Sequence, residues 1–408
     1  MDIKLQKSLL KSHDIAITIT GSKSESNRLL LLQALYPEIK IKNLSNSDDT
    51  KVMQHALQTN ENLIDVHHAG TAMRFLTAYF AIQNNREIIL TGSSRMKQRP
   101  IKVLVDALNT IGANILYLEN ADCPPLKING GILTKNRITL KANVSSQYIS
   151  ALLLIAPQLK NGLQLILEGN ITSVPYIKMT LNLLEQIGVN TTFKEQVITV
   201  EPKQKMETFQ VFTVESDWSS ASYFYSLVAL SPPETQITLS SYKKDSLQGD
   251  SILADIYKDF GVATSFSDAS ITLKKKAQDL TPKAYNLINS PDIAQTIVVT
   301  CLGLGVECQL SGLHTLKIKE TDRLVALKTE IEKLGGQIHV TNQMLHLQPN
   351  QVLNKNIAID TYNDHRMAMA FAPLALKTPL QINDANVVSK SYPAYWDDLK
   401  KLGFKISK

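Results

Sequence analysis

The sequence predicts an α/β protein of two domains, each built from three copies of one unit that runs strand, buried helix, strand, surface helix, strand. Three observations carry that reading. Six small polar or charged clusters are each followed at once by an apolar helix-like run; they begin at Gly21 to Arg28, Gly70-Thr71, Ser145-Ser146-Gln147, Ser219-Ser220, Pro291-Asp292 and Asp364-His365-Arg366. The clusters recur on a fixed step. Thr71 to Ser146 is 75 residues, and Ser146 to Ser219, Ser219 to Asp292 and Asp292 to His365 are 73 each, whereas Ser24 to Thr71 is 47. Amphipathic segments keep the same step and stop at Gly112, Gly188, Gly261, Gly335 and Gly403, the usual place for the left-handed residue that ends a helix. A period this long exceeds that of a solenoid, so the repeat is a small subdomain. A chain of 408 residues is also too long for one ordinary core.

Along the chain, Arg28 to Tyr36 is unbroken and apolar, and Ser24 or Ser26 suits its cap. Ala72 to Ile82 and Tyr148 to Ile155 have the same form; apolar nearly all round, such helices belong inside a domain. Glu201 to Thr208 is polar and irregular, and Phe209 to Val214 reads as a strand. A crossover near 215 leaves three units on each side. The expected domains are therefore 21–215, and a discontinuous second domain of 1–20 with 216–408. The first unit is short by about one strand, which Lys4 to Thr20 could supply from the other domain.

Composition excludes several classes. Hydrophobic residues at 44% and charged residues at 20% fit a globular chain, and no apolar run approaches the roughly 18 residues of a membrane span. Met1 to Asp14 carries Lys4, Lys7 and Lys11 and lacks the apolar centre of a secretion signal. Cys123, Cys301 and Cys308 form neither a metal spacing nor a disulfide framework; Cys301 and Cys308 read as buried free thiols, which points to a reducing cytoplasm. The net charge of +6 allows an anionic ligand without demanding nucleic acid.

Lys23, Arg28, Arg74, Arg95, Arg99, Lys319, Arg323, Arg366 and Lys390 mark the polar clusters or their flanks. Singly, each reads as a solvated surface charge. Together they oppose the dipole, because cations favour helix C-termini; a bound anion in front of the helix starts resolves the conflict. Roughly five or six cations suit a pair of phosphorylated, carboxylated substrates. Ser145-Ser146-Gln147, Ser173 with Tyr176, and Ser219-Ser220 read either as helix caps or as ligand contacts. Lys319 and Arg323 would share a helix face while Glu320 turns aside. Asp292 reads as an N-cap or as a carboxylate that accepts a proton from a bound hydroxyl. His365 reads equally as structural or catalytic. No Ser-His-Asp triad, glycine-rich nucleotide loop or metal spacing is present in the sequence, so neither a cofactor nor a metal is expected.

Several blocks in register resemble the EPSP synthase (3-phosphoshikimate 1-carboxyvinyltransferase) family. They are Gly21-Ser22-Lys23-Ser24 with Ser26-Asn27-Arg28, Ala69 to Arg74, Leu90-Thr91-Gly92 with Arg95 to Pro100, Lys319 to Arg323, and Tyr362 to Arg366. The resemblance implies a two-domain inside-out α/β barrel with the active site in the cleft between the domains. It implies transfer of the enolpyruvyl group of phosphoenolpyruvate to the 5-hydroxyl of shikimate 3-phosphate, in the pathway to chorismate and aromatic amino acids. It implies a monomer with two small-molecule substrates and neither nucleic acid nor membrane partner. Carried over residue by residue, Lys23 touches both substrates, and Ser24 and Arg28 hold the shikimate carboxylate. Ser145, Ser146 and Ser173 hold its phosphate, Gln147 and Tyr176 lie beside the ring, and Lys319 joins this set. Gly70, Arg99, Gln147, Arg323, Arg366 and Lys390 form the phosphoenolpyruvate site. Asp292 accepts the hydroxyl proton, and Glu320 donates to the vinyl methylene.

The chain departs from the family pattern at His68, where Asn is usual, at Phe75, where Pro is common, and at Thr315, where some members use Asn. His68 and Phe75 are expected near the phosphoenolpyruvate pocket, and the retained Gly70 implies sensitivity to glyphosate. A rival of the same fold, UDP-N-acetylglucosamine enolpyruvyl transferase, usually carries a reactive cysteine in the loop corresponding to Gly92 to Arg99; here that loop has none. A non-catalytic polyanion binder would place aromatic stacking residues among the cations, and the clusters contain almost none. A degenerate, binding-only member would lack catalytic positions, and every one expected is filled.

Overall fold

The computed structural model describes residues 1–10, 15–142, 145–277, 280–349 and 352–408. It divides into two units, Ser22–Val214 and Met1–Gly21 with Glu215–Lys408. In the first, the helices are α1 (Lys23–Leu35), α2 (Asp48–Gln58), α3 (Gly70–Ala81), α4 (Lys102–Thr110), α5 (Ser146–Ile155) and α6 (Val174–Gln186). The three runs that are apolar on every side, α1, α3 and α5, pack against one another, and α2, α4 and α6 alternate with them around the bundle. Burial explains the pattern: Leu29 to Leu32 and Leu152 to Ile155 are at most 4% exposed. The sheets lie outside these helices. One has the order 63–65, 87–91, 126–129, 114–117, and another 191–194, 197–200, 163–168, 137–141. Each combines one parallel pair with antiparallel neighbours. The third has only two strands among the described residues, Ile39–Lys42 and Gln210–Thr213, paired in parallel.

The second unit carries α7 (Trp218–Leu230), α8 (Leu253–Ile256), α9 (Ala294–Leu304), α10 (Arg323–Lys333), α11 (His365–Phe371) and α12 (Tyr395–Lys401). Helix α9 packs on both α7 and α11, and α11 is buried along its whole length. Three four-stranded sheets flank these helices. Each unit is thus an inside-out α/β barrel, with helices at the centre and sheets around them. No helix among the described residues is long and apolar enough to cross a membrane.

The N-terminal segment differs from expectation. Ile3–Leu5 lies between Leu380–Ile382 and Ile406–Ser407, and Ile15–Ile17 adds in parallel to Gln236–Ser240, so both strands serve the second unit. The short first repeat is instead completed by Gln210–Thr213. Residues 11–14, including Lys11, lie outside the described residues. The helix stops behave as the glycine rule requires: Gly112, Gly188, Gly261, Gly335 and Gly403 all have positive φ, between +73° and +111°. The segment before Gly261 is broken into a 3-10 turn, the single turn α8 and a second 3-10 turn. Leu152→Ala in α5 is expected to cost about 2–5 kcal/mol in chemical denaturation, whereas Val325→Ala, 56% exposed on α10, should stay within about 0.5 kcal/mol.

Candidate active site

In the first unit the polar residues of α1 are its first turns and not its cap. Ser22 occupies the N-cap, and Lys23, Ser24, Ser26 and Arg28 are already helical, which corrects the assignment of Ser24 or Ser26 as caps. Lys23 Nζ lies 3.1 Å from Asp49 Oδ2, in the first turn of α2. Arg28 is 2% exposed. Its guanidinium donates to Thr180 Oγ1 at 2.8 Å, Ser150 Oγ at 2.9 Å, and the carbonyls of Ser24 and Tyr176 at 2.7 and 3.3 Å. All four acceptors are neutral, and no carboxylate pairs with Arg28 among the described residues. Burial therefore lowers Arg28 to about 10, with the nearby Tyr176 and Glu25 opposing it. Phe75, expected beside phosphoenolpyruvate, lies under this guanidinium, its ring centre 5.4 Å away.

A second group forms where α3 begins. The Arg99 guanidinium lies over Gly70 so closely that a Cβ there would sit 2.6 Å from Nη1. Arg74 donates to the carbonyls of Gly70 and Pro100, both at 3.2 Å. His68 Nδ1 meets Ser93 Oγ at 2.8 Å, and the Ser93 N–H donates to the His67 carbonyl at 3.0 Å. Segments 66–70 and 91–100 are thereby tied together with Arg99 between them. Gln147 donates to Thr71 Oγ1 at 3.2 Å, and Ser145 caps α5 by accepting from the Gln147 N–H. Ser146 and Ser173 are buried; Ser173 adopts φ +53° immediately before α6, and Tyr176 lies in the first turn of that helix. The Cys123 thiol is raised by burial and by Asp122, with Arg74 opposing, so it is not a ready thiolate nucleophile.

The second unit carries the densest charge cluster. Arg323, 1% exposed at the start of α10, donates to Asp364 at 2.6 and 3.4 Å, to Asp292 at 2.9 Å and to Glu320 at 2.9 Å. Asp292 also meets Lys319 at 3.3 Å and Arg366 Nη2 at 3.2 Å, and its carbonyl accepts from Arg366 Nη1 at 3.0 Å. Three cations and three carboxylates thus interlock. Burial alone would raise Asp292, but Arg366, Lys319 and Arg323 outweigh it and hold the carboxyl well below the usual range. Burial would likewise lower Arg323, and Asp364, Glu320 and Asp292 outweigh it and raise the guanidinium. Lys390 Nζ donates at 2.5 Å to the carbonyl of Asn363, which follows Tyr362 with both residues left-handed at φ +56° and +53°. His365 is 2% exposed beside them.

Two sequence readings need correction here. Lys319 and Glu320 precede α10 and do not share its face; Asp322 caps that helix, and Glu320 reaches Arg323 instead of turning aside. Asp292 is not an N-cap but lies inside the 3-10 turn Pro291–Ile293. The sequence reading also missed three groups. Asp49 and Asp364 are visible as first-turn or capping acids, but their cationic partners are not. Asp250, 3% exposed in the turn Gly249–Ile252, carried no signal.

Arg323→Ala leaves three carboxylates without their shared cation and is expected to cost about 3–5 kcal/mol at neutral pH. The Asp292 contribution is present above its unfolded value of about 4 and is lost as pH falls. The wild-type and Arg323→Ala stabilities should therefore converge in acid, as read by denaturant midpoints across pH.

The EPSP synthase (3-phosphoshikimate 1-carboxyvinyltransferase) family profile matches residues 56–399. The chain is 49% identical over 395 residues to a 3-phosphoshikimate 1-carboxyvinyltransferase of Bacteroides fragilis, covering 96% of this chain and 95% of that one. It is 38% identical over 417 residues to the protein of the same name from Colwellia psychrerythraea, covering 95% and 96%. Its fold matches EPSP synthase from Acinetobacter baumannii with a TM-score of 0.79 at 18% identity, over 100% of both chains. It also matches the enolpyruvyl transferase NikO from Streptomyces tendae with a TM-score of 0.76 at 15% identity, over 100% and 98%. The chain belongs to the EPSP synthase family.

Proposed function

We propose that this chain transfers the enolpyruvyl group of phosphoenolpyruvate to the 5-hydroxyl of shikimate 3-phosphate, releasing phosphate, as a cytoplasmic monomer without a cofactor. The observation that carries the reading is Asp292, one carboxylate held at 3.3 Å or less by Lys319, Arg323 and Arg366. Such a cage suits a base whose cations can be shared with incoming anions. The reading needs neither nucleic acid nor membrane.

Lys23, Ser24, Arg28, Ser145, Ser146, Ser173, Gln147, Tyr176 and Lys319 take shikimate 3-phosphate. Gly70, Arg99, Arg323, Arg366 and Lys390 take phosphoenolpyruvate, with Lys23 and Gln147 reaching both. Asp292 accepts the 5-hydroxyl proton, the oxygen bonds to C2 of phosphoenolpyruvate, and Glu320 delivers a proton to C3. Return of a C3 methyl proton to the Glu320 carboxylate and cleavage of the C2–O bond to phosphate then give the enol ether and phosphate. Fixed cations position both anions, so orientation and electrostatics supply most of the acceleration. In the substrate-free chain Asp292 is a weak base. Anions that engage Arg323 and Arg366 draw on their charge and raise its basicity.

Phosphate release from purified protein is expected only when phosphoenolpyruvate and shikimate 3-phosphate are both present. It should be inhibited by glyphosate competitively against phosphoenolpyruvate, and lowered at least about 100-fold in Asp292→Ala. Release supported by UDP-N-acetylglucosamine instead of shikimate 3-phosphate would overturn the assignment.

A further inference from the structure

One buried carboxyl beside the charge cluster has no part in the chemistry above. Asp250 Oδ2 accepts the hydroxyl of Ser219, and Ser219 Oγ accepts from Arg366 Nη2 at 3.3 Å. Arg366 therefore stands between two carboxylates, bonding Asp292 directly and Asp250 through one hydroxyl. Asp250 Oδ1 is buried without a hydrogen-bond partner among the described residues. An ionised carboxylate with one dry, unpaired oxygen is costly, and a proton removes that cost.

We propose that Asp250 is a positioning residue that sets the anion affinity of Arg366 through Ser219, weakening it as Asp250 ionises. The proposal rests on Arg366 contacting phosphoenolpyruvate, as read above. The charged groups facing Asp250 are Asp292 from the turn at 291–293, Arg366 from α11 and Asp217 from the N-cap of α7. Burial is the largest influence, with Asp292 and Asp217 acting in the same direction; Arg366 and the Ser219 hydrogen bond oppose it. The balance raises the carboxyl to about 6.

The sign follows. Below that value Asp250 is neutral and adds no negative charge beside Arg366. Above it, a second anion competes for the guanidinium and repels the incoming substrate. Linkage makes the effect reciprocal, so phosphoenolpyruvate holds the proton on Asp250. A binding-induced rise of about one pH unit corresponds to about a tenfold loss of affinity when Asp250 ionises.

The test is KM for phosphoenolpyruvate, from phosphate release at saturating shikimate 3-phosphate, measured from about pH 5 to about pH 8 to bracket the value of about 6. Ionisation of the substrate's own phosphate is common to all variants and cancels between them. The wild-type KM is expected to rise with pH by about tenfold more than that of Asp250→Asn. Ser219→Ala removes the hydroxyl through which Asp250 reaches Arg366, so its KM profile should fall toward that of Asp250→Asn. Parallel profiles for wild type and Asp250→Asn overturn the proposal. A full wild-type pH dependence retained in Ser219→Ala does so independently, whether or not Asp250→Asn folds. Either result leaves the enolpyruvyl reading standing. A wild-type protein that releases no phosphate at any pH removes that reading, and this one with it.

Discussion

The buried guanidinium of Arg323 is the constraint around which the second unit is arranged. A cation at 1% exposure is tolerated only where its charge is matched and its donors are used. Asp364, Asp292 and Glu320 meet both needs, and they come from the N-cap of α11, the turn at 291–293 and the segment before α10. One side chain therefore fixes the mutual position of three segments. Lys319 and Arg366 then join through Asp292. Attraction within the cluster offsets a large desolvation cost, so the arrangement is better explained by what it holds ready than by the stability it adds.

The first unit solves the corresponding problem differently. Arg28 is as buried as Arg323, yet it rests on neutral oxygens and two aromatic faces. No carboxylate forms a salt bridge with it among the described residues, and Glu25 acts on it only through space. The contrast suits two kinds of task. An uncompensated cation captures an anion directly, whereas a compensated cluster must exchange partners and can change the basicity of a carboxylate as it does so. The inside-out barrel makes both possible. Its central helices α1, α3, α5, α7, α9 and α11 begin in polar turns, and the repeat brings three such beginnings together in each unit.

Much of this was legible because it is local. Gly112, Gly188 and Gly335 end helices through their own φ angles, and the apolar runs of α3 and α5 announce helices buried on every side. What escaped depends on pairing between distant segments. Ile15–Ile17 joins Gln236–Ser240, and Ile39–Lys42 joins Gln210–Thr213; neither choice is written in the hydrophobic period of the strands themselves. The same holds for charge. The sequence displays Arg323 and Glu320 three apart but gives no sign that Asp364 will reach the same guanidinium. Asp250 looks like any turn aspartate until Ser219 and Arg366 are placed beside it. Phe75 departs from the family pattern, and only the fold shows that its ring lies under Arg28.

The central claim is that substrate anions release Asp292 from its cations and so make it a base. The most direct measurement is the titration of the Asp292 side-chain carbon by NMR on carbon-13 aspartate-labelled protein, with Asp292→Asn to identify the resonance. In the substrate-free protein the signal should stay in its ionised position to the lowest pH at which the fold persists. With shikimate 3-phosphate and glyphosate bound, a protonation step should appear within the pH range where the fold persists, because the ligand anions draw on Arg323 and Arg366. An Asp292 titration that is the same with and without both ligands would contradict the account.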